Sequence, residues 1–320
     1  MLDADRVRPK ISGSARCQIR QAMQKNETMK LEQLIGNTPL IELEQIPVNK
    51  NVKIYCKLEG QNPGGSVKDR AALGMINGAL ERGDIKPGDT LVEATSGNTG
   101  IALAMIAAIK GLEIKLLMPE NATEERIKSM KAYGAEVILT SAEKTIEYSR
   151  QLAEEMADEH GYFQLNQFAN PDNYRMHEKT TGPEIWRDTK GKITHFASAM
   201  GTTGTIMGVS RYLKSQNSDV QIVGTQPTEG SSIPGIRRWS PEYLPKIFEA
   251  ERVDQTVDVS QAEATEMARR MAKEERIFAG MSSGGALTAA LKVAENLDEG
   301  VIVCITCDRG DRYLSSDLFD

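Results

Sequence analysis

The chain has 320 residues, 40% hydrophobic and 26% charged, with a formal net charge of -6, a length that suggests about two domains. The acidic balance argues against a general nucleic-acid surface. No apolar run of about 18 residues is present to span a membrane, and four scattered cysteines fit a reducing cytoplasm better than a disulfide framework.

Residues 1–28 are polar and aperiodic and read as a disordered N-terminal extension without the apolar core of a secretory signal. Met29 opens a regular continuation, MKLEQLIGNTPL. KIYCKLEG alternates as a strand. SVKDRAALGMINGALERG predicts a helix with Ser66 as N-cap, Asp69 at the capping-box position and Gly83 as its stop. TLVEA is a strand, and TSGNTGIALAMIAAIKG is a turn running into a small-residue helix that ends at Gly111. IKLLMP, the helix TEERIKSMKAYG, the strand AEVILT and the helix SAEKTIEYSRQLAEEMADEH follow. Beyond Gly161, the strand ITHFASAM feeds GTTGT and the helix IMGVSRYLKS. VQIVGTQP, helices AEATEMARRMAKEE and ALTAALKVAENL, and the strand VIVCIT complete the chain. This alternation predicts α/β layers with mostly parallel sheets. One long break, roughly 221–260, is rich in Pro, Gly and Ser, and irregular loops of that length are usually functional.

Three strand-to-helix loops carry the chemistry. TSGNTG, residues 95–100, joins two glycines to four hydrogen-bonding side chains at a helix mouth, where free N–H groups favour a carboxylate or phosphate. GTTGT, residues 201–205, resembles a phosphate site more strongly. No Gly-Lys-Ser/Thr follows, so it is not a P-loop. The next strand ends in Gln226 rather than an acid, so it is not a dinucleotide fingerprint. The third is NPGGSVKDR, which sets Lys68 at a helix mouth that is already positive. A surface lysine would tolerate that placement. A Schiff-base lysine would use it, because a neighbouring positive potential lowers the amine pKa. An imine-forming amine beside a cradle for a non-nucleotide phosphate is what pyridoxal 5'-phosphate requires.

Cys304-x-x-Cys307 falls in a strand that reads as buried, with no second ligand pair nearby in the sequence, so no metal is expected.

Four motifs, NPGGSVKDRAA, EATSGNTGIALA, SAMGTTGTIMG and FAGMSSGGA, together resemble the fold-type II pyridoxal-phosphate enzymes, in particular the O-acetylserine sulfhydrylases, or cysteine synthases. LLMP, NPDN, TTGPEIW, GSSIPGIRRW, EYLP and CDRGDRYLS are similar to the B-type branch, and the similarity covers about residues 30–316. The resemblance implies a tryptophan-synthase-β-like fold with two three-layer α/β/α domains. Residues 29–61 plus 171–320 would form the larger, phosphate-binding domain, and 62–170 a smaller mobile domain holding the substrate carboxylate.

By the same resemblance Lys68 carries the cofactor as an imine and later shuttles the α-proton. Asn98 bonds the pyridoxal 3′-oxygen, and Gly201, Thr202, Thr203, Gly204 and Thr205 hold the phosphate. Ser282 faces the pyridine nitrogen, although Ser283 and a plain helix-capping role stay open. Thr95, Ser96, Thr99 and Gln167 hold the substrate carboxylate. Arg237 and Cys307 belong to a roomier, more positive pocket, unless Arg237 and Arg238 are solvated loop charges. A serine hydroxyl can donate to an unprotonated pyridine nitrogen but cannot stabilise a pyridinium as a carboxylate would. That electronics suits β-elimination and replacement. The expected reaction is β-replacement on O-acetyl-L-serine by sulfide or thiosulfate, in a cytoplasmic homodimer. A sulfide-only or dehydratase enzyme and a non-catalytic scaffold are the alternatives.

Overall fold

The computed structural model describes residues 28–46 and 49–320, so the expected extension lies outside the described residues but for Thr28. The strands in chain order are β1 (Leu40–Glu42), β2 (Val52–Leu58), β3 (Thr90–Ala94), β4 (Glu113–Pro119), β5 (Glu136–Thr140), β6 (His195–Ala199), β7 (Gln221–Pro227), β8 (Gln255–Val259) and β9 (Gly300–Thr306). The helices begin with α1 (Lys68–Arg82), α2 (Asn98–Lys110), α3 (Glu124–Ala132) and α4 (Thr145–His160). They continue with α5 (Pro171–Lys179), α6 (Thr181–Asp188), α7 (Gly204–Gln216), α8 (Gln261–Glu275) and α9 (Met281–Ala294).

Two sheets result. The larger runs β1-β2-β9-β6-β7-β8 and is parallel except for the edge strand β1. The smaller runs β3-β4-β5, all parallel. The interior strands of both are buried on both faces, which explains why VIVCIT and IKLLMP read as near-continuous apolar runs. In β9, Ile302 and Cys304 pack with Met267, Met271 and Leu287 of α8 and α9. Val303 and Ile305 turn to the other face, against Ile185 of α6 and Ile206 and Leu213 of α7. In the small sheet, Leu116 and Met118 meet α1 and α2 through Ile76 and Leu103. Leu117 meets Ala153 of α4 on the far side. Each sheet is thus the middle of three layers, as α/β alternation predicts. Each fully buried Leu or Ile in these layers contributes roughly 1.5–3 kcal/mol.

Several sequence expectations need correction. Val67, not Ser66, immediately precedes α1 and offers no side-chain cap, but Ser66 Oγ one residue earlier accepts the Lys68 N–H at 3.2 Å. Asp69 makes no capping box; its Oδ2 instead accepts the Gly64 N–H at 2.5 Å, closing the Pro-Gly-Gly turn. The long break is shorter than expected, because β7 and β8 bound it at 228–254. Helix α9 starts at Met281, before its glycines. Helix α5 carries a start signal that was readable: Asn170 accepts from Asp172 N–H, and Pro171 occupies the first turn.

Candidate active site

Segments after three strands of the large sheet and one of the small sheet meet at one cavity of about 290 Å³. The segment after β2 leads to Lys68, β3 to Thr95, β6 to Gly201 and β9 to Cys307. Ligands of open α/β sheets collect at such carboxyl ends, where helix N-termini converge.

Lys68 is the first residue of α1 and lines this cavity, half-buried. Burial lowers its amine pKa, and the nearby Cys307 and Asp308 act the other way. Of the two causes that lower a lysine pKa, desolvation and neighbouring positive charge, desolvation leads here. What anchors the helix is a buried ion network. Arg70 Nε meets Glu59 Oε2 at 2.7 Å and its Nη1 meets Glu184 Oε1 at 2.7 Å. Lys57 Nζ takes Glu184 Oε2 at 2.7 Å, and Asn62 Nδ2 ties Glu59 to the Ser66 carbonyl at 2.9 and 3.1 Å. Burial alone would raise the Glu184 pKa, but Arg70 and Lys57 outweigh it and hold the group at about 2.

The GTTGT turn is built for close approach. A side chain at Gly201 would put a Cβ 2.6 Å from the Gly235 carbonyl oxygen, and one at Gly204 would lie 2.0 Å from Asn173 Oδ1. Thr203 adopts φ +70°, a left-handed conformation that a β-branched residue rarely takes. Gly201, Thr202 and Thr205 line the cavity, whereas Thr203, the N-cap of α7, and Gly204, its first residue, do not. Thr203 Oγ1 is buried with no partner. His177, absent from the sequence argument, sits between Thr181 Oγ1 (2.9 Å) and Thr205 Oγ1 (3.3 Å).

At the opposite mouth, Thr95, Ser96, Asn98 and Thr99 line the cavity. Thr99 donates to Gln167 Oε1 at 2.8 Å, which leaves the Gln167 amide N–H groups as donors. The Gln167 backbone is held by Asn173, whose Nδ2 donates to its carbonyl at 2.8 Å. Asn98 is gripped at both ends: Nδ2 donates to Asp308 Oδ2 at 2.7 Å, and Arg312 Nη1 donates to its Oδ1 at 2.5 Å. Tyr313 also donates to Asp308 Oδ2, at 2.8 Å. Asp308 and Arg312 lie far from Asn98 in sequence, and only the fold brings them to it.

The serine alternatives separate. Ser282 lines the cavity, while Ser283 Oγ accepts from the Cys307 N–H at 2.9 Å. Cys307 faces the cavity with a thiol that burial pushes up to about 11. The C-x-x-C pair is split between two environments, since Cys304 lies beside Cys56 of β2, 3.4 Å between sulfurs. Among the described residues no group of His, Cys, Asp and Glu could hold a metal. Arg237 lines the cavity from the 228–254 loop. Arg238 does not; it pairs with Asp258 at 2.5 Å.

The chemistry of these residues fits pyridoxal phosphate. A phosphate would meet a turn whose glycines admit no side chain, with Thr202 and Thr205 beside Gly201 on the cavity wall. A lysine with a lowered amine pKa and a serine hydroxyl share the same cavity. Fold and donor set together define a class, and the comparison with known families agrees: residues 31–308 match the pyridoxal-phosphate dependent enzymes, and the chain belongs to this family.

Within it, the chain is 60% identical to cysteine synthase B of Pseudomonas aeruginosa over 286 residues, covering 89% of this chain and 96% of that protein. It is 58% identical to cysteine synthase B of Escherichia coli over 289 residues, covering 90% and 95%. A crystal structure of cysteine synthase from Entamoeba histolytica superposes with a TM-score of 0.86 at 38% identity, covering 92% of each chain.

Proposed function

We propose that this chain catalyses β-replacement on O-acetyl-L-serine, releasing acetate and joining a sulfur nucleophile to the β-carbon. Sulfide gives L-cysteine. One observation carries this reading: Lys68, at the first position of α1, opens onto the same cavity as the turn at 201–205. Pyridoxal phosphate, when bound, supplies the electron-withdrawing ring that acidifies the α-proton and helps acetate leave. The chain's residues supply the rest. Lys68 Nζ removes the α-proton and returns it after the sulfur has added. A buried amine with a lowered pKa has a larger neutral, basic fraction for that task. Ser96 and Gln167 donate to the α-carboxylate, with Thr99 fixing the Gln167 amide. The Ser282 hydroxyl donates towards the ring nitrogen without transferring a proton.

The smaller domain over 62–170, which bears TSGNTG, closes over the amino acid and excludes water. The enzyme works as a cytoplasmic homodimer. Thiosulfate is a second nucleophile, giving S-sulfo-L-cysteine, and Arg237 favours the dianion. Arg237→Ala should cut thiosulfate turnover at least tenfold more than sulfide turnover, and equal losses would refute that role.

The primary test incubates purified holoenzyme with O-acetyl-L-serine and each nucleophile separately, and identifies products by mass. Borohydride trapping should fix the cofactor on Lys68. Cofactor on a different lysine, or failure to form cysteine from sulfide, would overturn the reading.

A further inference from the structure

Twelve of the fifteen described arginines donate a side-chain hydrogen bond. The three that do not are Arg126, Arg150 and Arg237, and all three line the active-site cavity. They come from different parts of the fold: Arg126 from α3, Arg150 from α4 and Arg237 from the loop after β7. Glu147 is the one acidic side chain among the described residues lining this cavity, against Lys68 and these three arginines.

Two of the three are held by aromatic faces rather than by carboxylates. The Arg150 guanidinium lies 5.1 Å from the centre of the Phe168 ring, and Arg126 lies 5.5 Å from that of Tyr313. Phe168 is itself braced edge-on by Trp239 at 5.6 Å, and Trp239 donates to the Gly201 carbonyl at 2.9 Å. A ring face orients a guanidinium while leaving its N–H donors unused. The Nε of Arg126 is buried with no partner. Arg237 and Glu147 are exposed, so this group forms the outer rim, above the half-buried Lys68.

We infer that Arg150, supported by Arg126, is a specificity-determining residue of the small-sheet wall, which together with Arg237 on the opposite wall grips a doubly charged sulfur nucleophile. This rests on the proposed β-replacement and deepens it, because a dianion gains from both walls where the monoanionic hydrosulfide gains less. A rim of guanidinium groups that donate no side-chain hydrogen bond also draws anions in from solution, an effect that salt screens within about 10 Å at 0.1 M.

The test uses holoenzyme variants Arg150→Met and Arg150→Lys. Arg150→Met should raise the KM for thiosulfate at least tenfold, with kcat nearly constant and a KM for sulfide raised no more than threefold. Arg150→Lys should recover part of the loss, and the salt dependence of thiosulfate kcat/KM should flatten in Arg150→Met. A binding measurement keeps the idea separate from the turnover reading. In a Trp186→Phe background, Trp239 is the remaining tryptophan, and sulfate titrated as an inert dianion should change its fluorescence saturably. That response should weaken at least tenfold in Arg150→Met, whether or not thiosulfate is turned over. Unchanged sulfate binding in Arg150→Met, or equal effects on sulfide and thiosulfate, would overturn the inference.

Discussion

The turns at 95–100 and 201–205 look alike in sequence, both small, hydroxyl-rich and placed between a strand and a helix, yet they are mechanically opposite. At 201–205 two glycines stand where a Cβ would come within 2.6 Å of the Gly235 carbonyl oxygen and 2.0 Å of the Asn173 amide oxygen. Asn173 cannot swing away cheaply, because its Nδ2 is bonded to the Gln167 carbonyl at 2.8 Å. Between them Thr203 holds a left-handed φ of +70°, a strain of about 1–3 kcal/mol that the surroundings must maintain. At 95–100, by contrast, a Cβ on Gly97 would meet nothing within 4 Å, and one on Gly100 would meet the flexible end of Met130. The first turn is a fixed cradle and the second has room to move. Similar motifs thus suit a permanently held cofactor and a substrate that comes and goes.

The largest effect expected tests what both turns serve. Lys68→Ala should lower cysteine formation by roughly a factor of 10³ or more, as loss of a positioned proton-transfer group does. Phosphate binding at 201–205 should persist, so cofactor should still copurify non-covalently. Loss of cofactor along with activity would show that the cradle does not act alone. Next, Gly204→Ala should weaken cofactor retention on the order of a hundredfold, since an ångström of displacement at a reacting centre has that scale. Gly97→Ala should bind cofactor normally. If both variants behaved alike in a dialysis and absorbance assay, the contrast between the turns would be wrong. Third, Glu184→Gln strips a carboxylate from between Arg70 and Lys57 and should cost about 3–5 kcal/mol in urea unfolding, the usual result of breaking a buried pair.

What the sequence disclosed, and what it hid, follows from how local each feature is. Lys68, TSGNTG and GTTGT could be read because each loop carries its chemistry within a few consecutive residues. The start of α9 could not. The glycines in GMSSGG look like helix breakers, but Gly284 lies inside the helix because a Cβ there would be 2.1 Å from the Ala264 carbonyl oxygen of α8. Close packing overrode propensity. The predicted capping box failed because Asp69 is drawn to Gly64, although the Ser66 hydroxyl still accepts the Lys68 N–H at 3.2 Å. Arg126 and Arg150 sit in the helical segments TEERIKSMKAYG and SAEKTIEYSRQLAEEMADEH, with nothing in the local sequence to single them out. Their shared cavity depends on two sheets meeting, which no window of sequence contains.

The smallest effect concerns His177, packed against the cradle by its contact with Thr205. Burial, aided by the positive Arg70, lowers its pKa from 6.5 to about 3. The folded chain therefore refuses a proton that the unfolded chain accepts. Stability from this group is complete above pH 6.5 and is lost progressively as pH falls towards 3. Between pH 7 and 5.5 the loss from this one residue is on the order of 1 kcal/mol by linkage. His195 is also lowered by burial and adds to the acid slope of every variant alike, so the comparison must be a difference. In His177→Gln the amide cannot take up a proton but can still bond to Thr205. Its urea-unfolding free energy should fall less between pH 7 and 5.5 than that of the parent, by on the order of 1 kcal/mol. Parallel curves would mean that His177 is protonated in the folded chain over this range, and that the rear of the cradle is more open to water than its packing indicates.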